Sequence, residues 1–290
     1  MIIDSHIHFY DPERPQGIPF PRKDDALLYR KVLPEHFQKV TGPSGVTHAV
    51  VVEASRSMDD NLWVIDLAYR NELILGFIAG LDPKSSSFRE QLRQLSAFPI
   101  LRGIRLRQDE LKNLSPLVLD NLELVRDLRL SVDVLAKGDD KDVLLKLADR
   151  YPDLPIIVNH ICQLKIDGRA PTRDQRSLLS ELGSRPTVYC KVSAIQEYSV
   201  GAADINNREH YRLMQDCLWQ CFGADRLIFG SNWPVCERAA DYASQFNIVS
   251  DYFAEKGDAA SRKFLSENAQ QAYGLYENKA KHSLGLQTAL

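Results

Sequence analysis

The sequence predicts an α/β protein, a closed (β/α)8 barrel of the TIM type. Three observations support this: about eight short apolar runs, segments of helical period between them, and histidines or charged residues at the ends of several runs. The runs are IIDSHIH at 2 to 8, THAVVVEA at 47 to 54, LILGFIAGL at 73 to 81 and ILRGIRL at 100 to 106, then LSVDVLA at 130 to 136, LPIIVNH at 154 to 160, TVYCKVS at 187 to 193 and RLIFGSN at 226 to 232. Each has the length of a strand. Between them, MDDNLWVIDLAYRN, LVLDNLELVRDLR and KDVLLKLADRYP repeat apolar residues every three or four positions, as helices with one buried face do. Asp139 or Asp140 is placed to cap the helix that Pro152 follows. Strands alternating with helices argue for a parallel sheet with right-handed crossovers. An open doubly wound sheet is the rival, but no GxGxxG turn follows the first run.

Residues 1–290 read as one domain, with no linker, internal repeat or low-complexity stretch. The loop QGIPFPRKDDALLYRK follows the first run, where a barrel places an active-site flap; a disordered surface loop is the alternative. The tail NKAKHSLGLQTAL is expected to pass over the surface.

Composition narrows the class. A chain that is 44% hydrophobic and 26% charged, with net charge -3, has a globular balance and no basic stripe for nucleic acid or polybasic patch for a membrane. A small molecule is the expected partner, an oligomer stays open, and the acidic, histidine-bearing start, unlike a signal peptide, points to the cytoplasm. Five cysteines without a CxxC pair suggest neither a disulfide framework nor a structural zinc module.

Side chains alternate along a strand, so His6 and His8 point the same way and can share one cation. His160 closes the sixth run, making a third histidine at the same mouth, either a metal ligand or an acid/base group. In TVYCKVS, alternation sends Val188, Cys190 and Val192 toward the helices and Tyr189, Lys191 and Ser193 into the barrel. A buried lysine needs a carboxylate, a metal-bound oxygen or an anionic substrate, or else must snorkel to the rim. Glu53 ends the second run, Arg105 the fourth, and Asp133 lies within the fifth. Glu53 can ligate metal, polarise water or pair with Arg105; Asp133 reads best as an ion-pair partner for Lys191. The planar fork of Arg105 suits a substrate carboxylate or carbonyl oxygen.

DSHIHFYDP, RGIRL, VNHICQ, VYCKVS, LIFGSNWPV and ENAQQAYGL occur in this order over nearly the whole chain. In this the sequence resembles the amidohydrolase-related family that includes sugar lactonases and 2-pyrone-4,6-dicarboxylate lactonase. The resemblance implies a distorted TIM barrel, hydrolysis of a ring ester or amide, a place in carbohydrate metabolism, and a site at the strand ends. His6, His8 and His160 match the family's mouth histidines and would hold one zinc or manganese ion, which lactonases of this group need not all require. Lys191 and Arg105 match its lysine and arginine, placed to stabilise the oxyanion. On this expectation, Lys191→Ala would lower turnover and leave the fold intact. Trp233 and Tyr198 would wall the pocket, or simply pack.

One position departs from the family pattern. GSDWP is common at the eighth strand, where its aspartate serves as general base; here the residue is Asn232, whose amide cannot accept that proton. Either Glu53 or His160 takes over with Asn232 orienting, or a metal-bound hydroxide attacks, or catalysis has been lost. A metal-dependent amide hydrolase or decarboxylase of the same superfamily, and a catalytically silent sugar-acid binder, are the alternatives to a lactonase.

Overall fold

The computed structural model describes residues 1–112 and 114–275. The expected path of residues 278–290 lies outside the described residues. Eight parallel strands are hydrogen-bonded in chain order, β1 (Ile3–Ile7), β2 (His48–Val52), β3 (Ile74–Ala79), β4 (Leu101–Leu106), β5 (Ser131–Val134), β6 (Ile156–Val158), β7 (Val188–Val192) and β8 (Leu227–Phe229). All eight predicted runs contain a strand, each slightly shorter than its apolar run.

β8 meets β1 and nearly closes the barrel. The backbone N–H of Asn232 donates to the His6 carbonyl at 2.8 Å and the backbone N–H of His8 to the Trp233 carbonyl at 2.9 Å. Asp4 ties the seam, accepting from the backbone N–H of Ser231 at 2.9 Å and from the Tyr242 hydroxyl at 2.9 Å. Burial pushes its carboxyl up to about 6. Gly230 permits the close approach, since a Cβ there would lie 2.9 Å from the Cβ of His6.

Two apolar layers result. Val188, Cys190 and Val192 face outward into the larger core between sheet and helices, together with Leu122, Leu144 and Phe253. Tyr189 faces inward with Ile3, Val50, Ile78, Ile157 and Ile228, as the alternation required. Fully burying a side chain such as Ile78 contributes about 1.5–3 kcal/mol. The short helix Asn268–Tyr273, from the ENAQQAYGL motif, adds Ala269, Ala272 and Tyr273 to the inner layer. Its Asn268 donates to the carbonyl of Leu227 at the start of β8, at 2.8 Å, so this helix covers the end of the barrel opposite the mouth.

Outer helices start on side-chain caps. Ser57 accepts from Asp59, Ser115 from Val118, and Thr172 forms a capping box with Gln175. Asp140 does stand at the N-cap of helix Lys141–Arg150, but without a side-chain cap bond. Its carboxylate turns back to the Lys137 amide at 2.8 Å and the Gln108 amide group at 2.9 Å.

The long loop after β1 is ordered across the mouth. Tyr10 pairs with Val32 at its base, and Arg30 reaches Glu237, beyond β8, at 2.5 Å. Asp25 pairs with Arg238. Phe20 reaches the mouth cavity.

Candidate active site

Three strand ends leave ordinary backbone geometry where the site is built. After β6, His160, Ile161, Cys162 and Gln163 all have left-handed φ, at 53°, 47°, 56° and 52°. After β7, Ala194 is at φ 55°, and after β8, Asn232 is at φ 66°. Asn tolerates this region, whereas a β-branched Ile161 there is held only by its surroundings, and such strain gathers at functional sites. The turns hold His160 and Asn232 at the mouth.

A cavity of about 400 Å³ opens there, lined by His8, Glu53, Arg105, Arg107, His160, Glu197, Tyr198 and Asn232, with Phe20 from the β1 loop. His6 lies beneath it, fully buried. The His6 ring is 5.1 Å from that of His8 and 4.4 Å from that of His160. Nδ1 of His8 faces two carbonyl oxygens, Val52 at 2.9 Å and Glu53 at 3.1 Å, so it carries the ring proton and leaves Nε2 as an acceptor. His160 Nδ1 meets the Ser193 hydroxyl at 2.8 Å. Burial, followed by repulsion from Arg105, lowers His8 to about 4 and His160 well below the usual range. Burial and the Lys191 charge do the same to His6. All three imidazoles are therefore neutral at neutral pH.

Lys191 does not reach the cavity. Its fully buried ammonium donates to Asp133 Oδ2 at 2.6 Å, the Ser5 carbonyl at 2.8 Å and His6 Nδ1 at 3.3 Å. These use all three of its N–H bonds. Tyr273 donates to the other Asp133 oxygen at 2.9 Å. The expected contact between Lys191 and a substrate oxyanion is corrected on these grounds: the lysine is half of an internal ion pair linking β7, β5 and β1.

Glu53 is also engaged. Arg107 grips both of its oxygens, at 3.1 and 2.5 Å, while Arg105 stands farther off at 3.6 Å. Two guanidinium groups thus share one carboxylate; Arg105 lines the cavity, and its buried Nε has no hydrogen-bond partner. Tyr198 lines the cavity, but Trp233 does not. Its indole is buried against Phe37, ring centroids 5.4 Å apart, and its Nε1–H donates to Glu237 at 2.8 Å, so the expectation of a pocket wall at Trp233 is corrected to packing.

Sequence reasoning missed Arg107 and Glu197, which both line the cavity. Asn232 Nδ2 donates to the two Glu197 oxygens at 2.9 and 3.1 Å. Burial pushes the Glu197 carboxyl up to about 7, against the pull of that hydrogen bond and of Arg238. In sequence it is one acid in the loop AIQEYSV, and only its position beside Tyr198 hinted at the mouth.

As a cradle for a divalent cation, the histidines fit poorly. A ligating imidazole needs an unprotonated nitrogen. Because Lys191 donates to Nδ1 of His6, the proton of that neutral ring sits on Nε2, which is buried without a hydrogen-bond partner. His6 and His160 pack ring against ring, and Asn232 supplies no carboxylate. Among the described residues no group of three or more His, Cys, Asp or Glu has a metal-holding arrangement.

An eight-stranded parallel barrel with its polar residues gathered at the strands' C-terminal ends is the architecture of a mouth-site enzyme. The amidohydrolase family model matches residues 3–275, and the chain belongs to that family. It is 30% identical to an L-fucono-1,5-lactonase of Burkholderia ambifaria, over 83% of this chain and 82% of that protein. It is 25% identical to an L-fucono-1,5-lactonase of Burkholderia multivorans, over 95% and 96% of the two chains. In fold it matches a zinc-bound amidohydrolase crystal structure from Burkholderia multivorans with a TM-score of 0.82 at 23% identity, over 94% of this chain and 99% of that one. Among the described residues no helix is long and apolar enough to cross a membrane.

Proposed function

We propose that this protein hydrolyses the ring ester of a sugar-acid lactone. The observation that carries the reading is the mouth cavity itself: Arg105 presents an incompletely paired guanidinium opposite neutral imidazoles and a half-buried carboxylate, in a space of about 400 Å³. Water bonds to the lactone carbonyl carbon, and the carbonyl electron pair moves onto its oxygen. Arg105 faces that growing negative charge, and preorganised stabilisation of this kind is often the largest catalytic contribution. The ring C–O bond then breaks, its oxygen takes up a proton, and the hydroxy acid releases its own proton to solvent.

The reaction is carried by this chain's own groups. His8 and His160, held through Nδ1 by backbone and Ser193, present polar edges for water and sugar hydroxyls. Phe20 and Tyr198 exclude solvent from the sides. The preference for a sugar lactone is supported by the lactonase relatives, and with it a role in sugar metabolism. We read the chain as one domain, acting in the cytoplasm; five unpaired cysteines support a reducing setting.

The test is proton release from a panel of aldono-1,5- and 1,4-lactones and dicarboxylate lactones. Turnover of a sugar lactone is expected. Acceleration of none of them would reject the reading.

A further inference from the structure

We propose that Glu197, in the loop after β7, is the carboxylate that takes the proton of the attacking water, and that Asn232 is its positioning partner. The proposal rests on the lactone-opening reading above. It begins from the departure at β8, where an amide stands in place of an acid. The mouth has not lost its carboxylate; the carboxylate arrives from the neighbouring strand's loop. Asn232 Nδ2 holds both Glu197 oxygens, at 2.9 and 3.1 Å, and both residues line the cavity.

The two positions are chemically linked. An aspartate at 232 would set two carboxylates about 3 Å apart, and like charges that close cannot both ionise. An asparagine there donates instead of repelling, so it supports an ionised Glu197. The left-handed backbone at Ala194 and at Asn232 brings the two loops together.

The rival acid is excluded by its partners. Glu53 is held by Arg107 through both oxygens and flanked by Arg105. Among the described residues, Glu197 makes no ion pair. The groups facing it are Asn232, the Arg238 guanidinium, Tyr198 and Cys236. Burial keeps the tyrosine and the thiol protonated, at about 12 and well above the usual thiol range, so neither competes as an anion. With its own carboxyl near 7, Glu197 can both accept and return a proton at neutral pH.

The step balances. As the water oxygen bonds to the carbonyl carbon, one water proton passes to a Glu197 oxygen and the carbonyl pair moves to its oxygen before Arg105. When the ring C–O bond breaks, the departing oxygen takes that proton and Glu197 is again a carboxylate.

The experiment compares the parent with Glu197→Gln, Glu197→Asp and the double variant Glu197→Gln/Asn232→Asp on an aldono-1,5-lactone, with folding checked by circular dichroism. Glutamine preserves an acceptor for Asn232. Loss of the base is expected to lower kcat by about 10²–10⁴-fold and to remove the rise of kcat/KM with pH near 7. Glu197→Asp, which keeps a carboxylate, should retain more activity than Glu197→Gln. The double variant, which returns a carboxylate to β8, should recover at least about tenfold over Glu197→Gln by general-base catalysis. If Glu197→Gln and Glu197→Asp both keep kcat within about threefold of an active parent, or the rise near 7 survives in Glu197→Gln, this proposal is overturned while the lactone reading stands. A parent that opens no lactone overturns both.

Discussion

The Lys191 ammonium sits 2.6 Å from Asp133 with neither side chain exposed to solvent. Its third donor reaches His6, so the pair fixes which nitrogen of that ring is protonated as well as holding three strands together.

Removing one partner leaves a buried charge uncompensated. Lys191→Ala is therefore expected to destabilise the fold by about 3–5 kcal/mol. Urea unfolding checks this; an unchanged midpoint with lost turnover would restore the lysine to a direct catalytic role.

In the proposed reaction Arg105 receives the oxyanion, while Arg107 holds both oxygens of Glu53. Arg105→Ala should lower kcat by about 10²–10³-fold, as for removal of an oxyanion donor. Steady-state kinetics decide: a rise in KM alone would assign Arg105 to ground-state binding.

How far the sequence could be read depends on regularity. Alternation placed Lys191 inside the barrel, because β7 is a regular strand and its period is two. Alternation alone does not show what a buried side chain meets, and the meeting with Asp133 and Tyr273 depends on how three distant segments converge. His6, His8 and His160 were legible as a cluster because the HxH pair closes the first apolar run and His160 the sixth. Glu197 was not, since its position depends on the turn at Ala194 and on a loop with no period. Trp233 lies in the turn after β8, and its direction is set by packing on Phe37 and the bond to Glu237.

The buried histidines couple stability to pH. His8 titrates near 4 when folded, against 6.5 as its ordinary value. Between these values the unfolded chain binds the proton and the folded chain does not, so stability falls as pH falls. Relative to His8→Gln, the parent should lose about 3 kcal/mol between pH 7 and pH 4. Parallel denaturation series test this. A constant difference would mean that His8 is not buried neutral.

Because the Lys191 contact favours a proton on Nε2 of His6, that ring is not poised to ligate a cation. Turnover is expected to survive chelation unchanged, and added zinc should not raise the melting temperature. Loss of activity on chelation, restored by zinc or manganese, would show the histidines to be ligands and the His6 proton to be displaced.

The central claim is that water opens a ring ester at its carbonyl carbon in this cavity. The most direct measurement is hydrolysis of an aldono-1,5-lactone in water enriched in oxygen-18, with the product followed by mass spectrometry and the rate compared with the uncatalysed reaction. The account predicts an accelerated reaction with one label in the product carboxylate. Label on the former ring carbon, loss of carbon dioxide, or a rate no faster than the buffer would contradict it.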